Sequence, residues 1–162
     1  SGPIEETTSD EYDHTMDVLL KSVFYGIKHA APIMKQQRSG SIISTASVCA
    51  FEAGIGNHVY SVAKAGVVML TKSTAMELAE FGVRVNAVAP GGMRTPLTKS
   101  FNLPEGASVD DLRTIMSKIG VSQPEEVATC VAYVASDDAR YMVGSIVNFD
   151  GGLVCYGGGF PQ

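Results

Sequence analysis

Tyr60 and Lys64 stand four residues apart, a spacing that on a helix puts both side chains on one face, one turn apart. An ammonium beside a phenol favours the phenolate, so the pair predicts a tyrosine pKa below the usual value near ~10. A tyrosine of that kind is an acid or base near neutral pH. Ser47, thirteen positions earlier at the end of a predicted strand, offers a neutral hydroxyl donor to the same substrate oxygen. The chemistry these three residues predict is proton transfer at an alcohol or carbonyl. Alone, Tyr-x-x-x-Lys carries little weight. A tyrosine opening an amphipathic helix is commonly a packing residue, and the lysine a solvated charge. The neighbouring elements have to decide.

The stretch at residues 47–64 reads as a strand end, a glycine-punctuated loop and a helix start. Residues 41–46, SIISTA, form a short run consistent with a buried strand. FEAGIGN at 51–57 is a loop with Asn57 as the helix cap, and the apolar spacing from His58 to Phe81 is helical. Ala63, Ala65 and Gly66 on that helix allow another helix to approach closely. Gly82 ends it in the left-handed conformation, and VRVNAVA at 83–89 alternates as a strand does.

Upstream, Thr8 and Glu11 fit a capping box that opens a long helix over 9–38. Met16, Leu20, Val23, Phe24, Ile27, Ala31 and Met34 mark its buried stripe, Pro32 bends or shortens it, and Ser39-Gly40 closes it. Downstream, residues 93–121 read equally as a ligand-lining lid or a helical hairpin without ligand role. Ser122, Pro124 and Glu125 start another helix with Val127, Val131 and Val134 inward, and SIVNF at 145–149 is a third strand before a turn at Asp150.

Strands alternating with helices predict an α/β fold with a doubly wound parallel sheet. About three strands with flanking helices make a small sheet that leaves apolar helix faces uncovered. The 162-residue chain, which opens on Ser1 without an initiator methionine, is therefore expected to be the second half of a larger domain. A net charge of -5 argues against nucleic acid and anionic membranes as partners. With no apolar run of membrane length and no signal-peptide pattern, the expected compartment is the cytoplasm. Cys49, Cys130 and Cys155 are too few for a disulfide framework, and neither they nor His14, His29 and His58 have metal-ligand spacing, so no metal site is expected.

GSIISTAS at 40–47, YSVAK at 60–64, RVNAVAPGG at 84–92, MRTP at 93–96 and FDGG at 149–152 occur in one order along the chain. In this ordered set the chain resembles the short-chain dehydrogenase/reductase family over nearly all its length. The resemblance implies a Rossmann-like fold, binding of NAD or NADP, and hydride transfer between the nicotinamide and a small-molecule secondary alcohol or ketone. It implies that Tyr60 is the general acid or base and that Lys64 lowers the Tyr60 pKa and holds the nicotinamide ribose, while Ser47 binds the substrate oxygen. It places Pro90, Gly91, Met93 and Thr95 at the nicotinamide end of the cofactor, and the two long helices in a homo-oligomer, a dimer or tetramer.

Two departures qualify the likeness. The glycine-rich cofactor-binding half that the family carries is absent from these residues, and Leu19 stands where many members have an asparagine that supports a proton-relaying water. Retention of Ser47, Tyr60 and Lys64 favours an enzyme; Leu19 and the absent half favour a catalytically silent homologue acting as an assembly or interaction module. Ser22, where a glycine is common, has no assigned role.

Overall fold

The computed structural model describes residues 3–53, 55–96 and 120–156. Its sheet is three-stranded and parallel throughout, in the order β1 (Gly40–Thr45), β2 (Val83–Pro90), β3 (Ile146–Phe149). Helix α3 (His58–Leu78) joins β1 to β2 and α4 (Pro124–Ala135) lies between β2 and β3, while α1 (Ser9–Met16) and α2 (Ser22–Gln37) precede the sheet. This is the α/β, parallel-sheet arrangement that the alternation of elements predicts. Most of the segment read as a lid or hairpin, residues 97–119, lies outside the described residues.

The middle strand organises the core. Val83 and Val85 pack with Ile27 of α2 and with Ala75 and Leu78 of α3, and Ala87 and Ala89 pack with Val67 and Val68 of α3. Val88 faces the other way, onto Val127 and Val134 of α4. The period of two assigns alternate residues to opposite helical layers, so a slip of one residue would exchange them all. Each fully buried valine contributes roughly 1.5–3 kcal/mol. Two polar residues of the same strand brace α4 and the approach to β3. The Arg84 guanidinium donates to the carbonyls of Val134, Ala135 and Ser136 at 2.9, 3.0 and 3.0 Å, placing a cation at the C-terminus of α4. Asn86 is fully buried, donating to the Met142 carbonyl and accepting from the Ser145 N–H, both at 2.9 Å.

The start of α1 is as expected: the Glu11 carboxylate accepts from the Thr8 N–H at 2.9 Å and the Thr8 hydroxyl from the Glu11 N–H at 3.2 Å. The single long helix is not. Residues Asp17–Lys21 form a π-helical turn, closed by the Ser22 N–H bonding back to the Asp17 carbonyl. The Ser22 hydroxyl donates to the Val18 carbonyl, which gives this residue a local role. Pro32 does not end the helix, which continues to Gln37; the proline is exposed, so water can serve the carbonyl its ring leaves without a donor. The helix closes at Arg38, in the left-handed region at φ 54°, rather than at Gly40. Gly40 answers a packing demand instead: a Cβ there would meet the Met34 sulfur.

The apolar stripe of the first helices is only half covered. Ile27 is buried and Leu20, Val23, Ala31 and Met34 are partly so, but Phe24 is 49% exposed. On α3, Val67 and Leu78 are buried, whereas Val62 and Met76 are exposed. A helical period identifies an apolar face; it takes a second layer to cover one, and the described residues supply none on this side. The expected close helix approach is present, since a Cβ on Gly66 would stand 2.7 Å from Leu20 Cδ2. Gly82 ends the α3 segment at φ 73°, as its sequence position predicts.

Candidate active site

Local rules put the three chemical residues where they are. The Asn57 side chain accepts from the Tyr60 N–H at 2.7 Å, starting α3 at His58, with Tyr60 in its first turn and Lys64 one turn on. The chain leaving β1 stays with the sheet for one more bond, Ala46 N–H to the Val88 carbonyl at 2.8 Å. It then enters a tight turn at Val48–Ala50. Ser47 sits at that junction, buried, its hydroxyl oxygen accepting from the Cys49 N–H at 3.2 Å. That bond occupies an acceptor site and leaves the O–H of Ser47 to donate elsewhere.

A cleft of about 200 Å³ opens beyond the C-terminal ends of β1 and β2. All seven residues singled out from the sequence, Ser47, Tyr60, Lys64, Pro90, Gly91, Met93 and Thr95, line it. Leu19, which replaces the asparagine of many family members, reaches the same cleft from the π turn, alongside Cys49 and Ile55. Apart from Lys64 the lining carries no charged side chain.

Lys64 is 8% exposed, and its ammonium donates to the Thr45 carbonyl at 2.8 Å. An ammonium carries three donors, so this bond uses one of them. Its Nζ lies 5.7 Å from the centre of the Tyr60 ring. The expected depression of the tyrosine pKa is not what the site produces. Burial pushes the Tyr60 phenol up, against a smaller downward pull from its hydrogen bond with Ser47, and the neighbouring Cys49 adds to the rise. Burial also pulls the Lys64 ammonium down. Both shifts have one cause: charge is disfavoured in a cleft walled largely by apolar side chains.

The segment after β2 is held from two sides. The Gly91 N–H donates to the Phe149 carbonyl at 3.0 Å, and a Cβ at residue 91 would stand 2.8 Å from the Asp150 Cα. Glycine is therefore required at this position by the turn after β3, a reason that lies too far along the chain to be read from the sequence. Asp150 fixes that turn, its carboxylate accepting from the N–H groups of Gly152 and Val154 at 3.0 and 2.9 Å. Met93 forms a parallel bridge with Ser122, through Ser122 N–H to the Gly92 carbonyl and Arg94 N–H to the Ser122 carbonyl, each at 2.9 Å. The sequence places Ser122 at a helix start and Asp150 at a turn, but the parts that these two and Cys49 play around the cleft are not read from it. For Cys49 a signal existed, since it lies two residues from Ser47 in a short turn; Ser122 meets Met93 across 29 residues and Asp150 meets Gly91 across 59.

Among the described residues no group of three or more His, Cys, Asp or Glu could hold a metal ion, and no helix is long and apolar enough to cross a membrane.

A family model described as enoyl-(acyl carrier protein) reductase matches residues 1–154. The chain is 40% identical over 148 residues to 3-oxoacyl-(acyl-carrier-protein) reductase of Thermotoga maritima, an alignment covering 90% of this chain and 58% of that protein. It is 38% identical over 157 residues to levodione reductase of Leifsonia aquatica, covering 93% and 58%. The crystal structure of levodione reductase superposes with a TM-score of 0.86 at 36% identity, covering 95% of this chain and 62% of that one. A 3-oxoacyl-(acyl-carrier-protein) reductase from Brucella melitensis with bound NAD gives a TM-score of 0.82 at 31% identity, covering 93% and 54%. The chain thus spans less than two-thirds of the length of these relatives.

Proposed function

The chain belongs to the short-chain dehydrogenase/reductase family, and from that premise we propose that it carries the proton-transfer side of an NAD- or NADP-dependent oxidoreductase that interconverts a secondary alcohol and a ketone. The observation that carries the reading is the convergence of Ser47, Tyr60 and Lys64 with Pro90, Gly91, Met93 and Thr95 on one cleft at the strand ends. We take residues 1–162 as a portion of a Rossmann-like domain whose remaining cofactor contacts lie outside them.

The residues present fit the nicotinamide end of such a cofactor. Lys64 has donors beyond the one on Thr45 to offer a ribose, and the Met93 main chain and Thr95 hydroxyl are suited to a carboxamide. A nicotinamide bound there supplies the acceptor or donor of hydride. Tyr60 removes the hydroxyl proton of the alcohol in oxidation and returns it to the carbonyl oxygen in reduction. Ser47, its acceptor side occupied by the Cys49 N–H, donates to the same substrate oxygen and stabilises the charge that develops on it. Lys64 holds a fixed positive charge near the phenol, which offsets some of the cost of forming the phenolate in a buried site. The Leu19 side chain cannot hydrogen-bond a water, so the proton leaves Lys64 and Tyr60 by a route that does not use that side chain.

The lining favours a neutral, apolar substrate. For partners, we propose a second copy of the chain. Val62, Met69 and Met76 repeat every seven residues along α3 with exposures of 54%, 63% and 84%, which leaves an apolar stripe for a helix to cover. A cytoplasmic site of action is the expectation that accompanies this reading.

The test is dinucleotide reduction by the full-length protein with cyclohexanol as probe. Tyr60→Phe is expected to lower kcat by about 10²–10⁴-fold with the fold retained by circular dichroism. Turnover undiminished by that substitution would remove the assignment, and a full-length protein inactive across a panel of alcohols and ketones would favour the silent-module reading.

A further inference from the structure

Gly56 occupies a gap between the Cys49 thiol and the Tyr60 ring. A Cβ at position 56 would stand 3.1 Å from Cys49 Sγ and 3.1 Å from Tyr60 Cδ1, both tighter than ordinary packing, with Cys49 Cβ at 3.5 Å. The backbone is not what demands glycine, because Gly56 is absent from the residues of positive φ. The demand is for room, and it comes from two groups that belong to the cleft.

The two walls differ in stiffness. Cys49 is 5% exposed and rides on a turn held by bonds from Ala50 N–H to the Ser47 carbonyl and from Phe51 N–H to the Val48 carbonyl, at 3.0 and 2.9 Å. Its own N–H is the donor on the Ser47 hydroxyl. Burial pushes its thiol pKa up, which keeps the sulfur neutral, so that it acts through its volume rather than as a nucleophile. Tyr60 is half-buried at the first turn of α3, and its ring is steered by its two side-chain torsions and by the hydrogen bond of its phenol with Ser47.

We infer that Cys49 and Gly56 are a positioning pair for Tyr60, the volume shared between them setting how far the phenol reaches toward Ser47 and the substrate oxygen. This rests on the reading of Tyr60 as the acid or base. A methyl group at 56 meets a sulfur that is 5% exposed on a hydrogen-bonded turn on one side and a half-buried ring on the other, so the ring is the wall expected to give way. Removing the sulfur leaves only the 3.5 Å contact with Cys49 Cβ, and the loop carrying residue 56 then has space to retreat. The two substitutions should therefore compensate each other.

The experiment is a double-mutant cycle in the full-length protein, with cyclohexanol and the preferred dinucleotide. Gly56→Ala should lower kcat about tenfold while KM for the dinucleotide stays within about twofold, because a sub-ångström error at the reacting groups costs chemistry rather than binding. Cys49→Ala should cost about threefold, and the double variant should be more active than Gly56→Ala, a coupling that neighbours sharing one space produce. Losses that simply multiply, or wild-type kcat in Gly56→Ala, would overturn the pair. Should Gly56→Ala fail to fold, Cys49→Leu presses on the same ring from the other wall, and wild-type kcat in that folded variant would overturn it equally. An active Tyr60→Phe would instead remove the reading beneath the proposal, whereas an inactive Tyr60→Phe beside an unaffected Gly56→Ala would remove the pair alone. A crystal structure of Gly56→Ala gives a readout without turnover: the Tyr60 ring should be displaced from its wild-type position, and an unmoved ring would contradict the proposal.

Discussion

The cleft at the strand ends and the outer surface of α2 and α3 draw on the same kinds of apolar residue, and they use them in opposite ways. In the cleft, Lys64 and Ser47 are enclosed to a few per cent exposure, Gly91 is pressed against the Asp150 backbone, and Ser47, Gly91 and Asp150 are each tied by hydrogen bonds into their turns. On the outer surface Phe24, Met69 and Met76 stand open, and an apolar groove of about 390 Å³ runs between α2 and α3. The difference teaches that position on a periodic face and enclosure are separate properties. The first is written in spacing, whereas the second depends on which layers are present.

Substitutions that probe the closed region should cost most. Gly91→Ala drives a methyl group into backbone and is expected to destabilise the protein by about 3 kcal/mol, read as a shift of the denaturation midpoint. A shift under a third of that would mean the turn at Asp150 yields, and the region is looser than its distances. Asn86→Ala leaves the Ser145 N–H and Met142 carbonyl without their partner in a buried place, for about 2 kcal/mol by the same measurement.

The pH dependence follows from burial. Because the Tyr60 pKa is raised, the phenolate that oxidation needs is scarce at neutral pH, and kcat/KM for alcohol oxidation should climb about tenfold per pH unit, equal to about 1.4 kcal/mol, into the alkaline range. The phenol that reduction needs is present throughout that range below the raised pKa, so reduction should stay level. A plateau of the oxidation profile at neutral pH would show that the occupied site reverses the effect of burial. Charging the open region should cost least: Met69→Lys with Met76→Lys is expected to change stability by less than about 0.5 kcal/mol per site. If the stripe meets a second copy, the same variant should elute as a smaller species on size exclusion, and an unchanged elution would leave the stripe free.

The sequence was most informative where the cause of a feature lies within a few residues of it. The Thr8 and Glu11 cap, the Asn57 cap and the left-handed Gly82 each depend on groups at most three positions apart, and each is present. The strands fall within one residue of their expected bounds because their periodicity is short. Legibility fails with distance. The pKa of Tyr60 is decided by burial among residues from several segments, the closing of α2 at Arg38 is supported by a bond to the Glu80 carbonyl 42 positions away, and Asn86 looks in the sequence like any polar strand residue. Phe24 shows the reverse error, an apolar residue at the right spacing with nothing over it.

The bridge between Met93 and Ser122 has one more consequence, for how such a protein can change over evolutionary time. The chain that leaves the cleft after Met93 is tied back to its point of departure before α4 begins, so the sheet is insulated from whatever length of chain lies between the two. Closing a longer excursion costs only about 0.6 kcal/mol for each doubling of its length. New recognition surface can then be inserted or exchanged between the two tethered ends as a cassette, while the residues that handle the proton stay where they are.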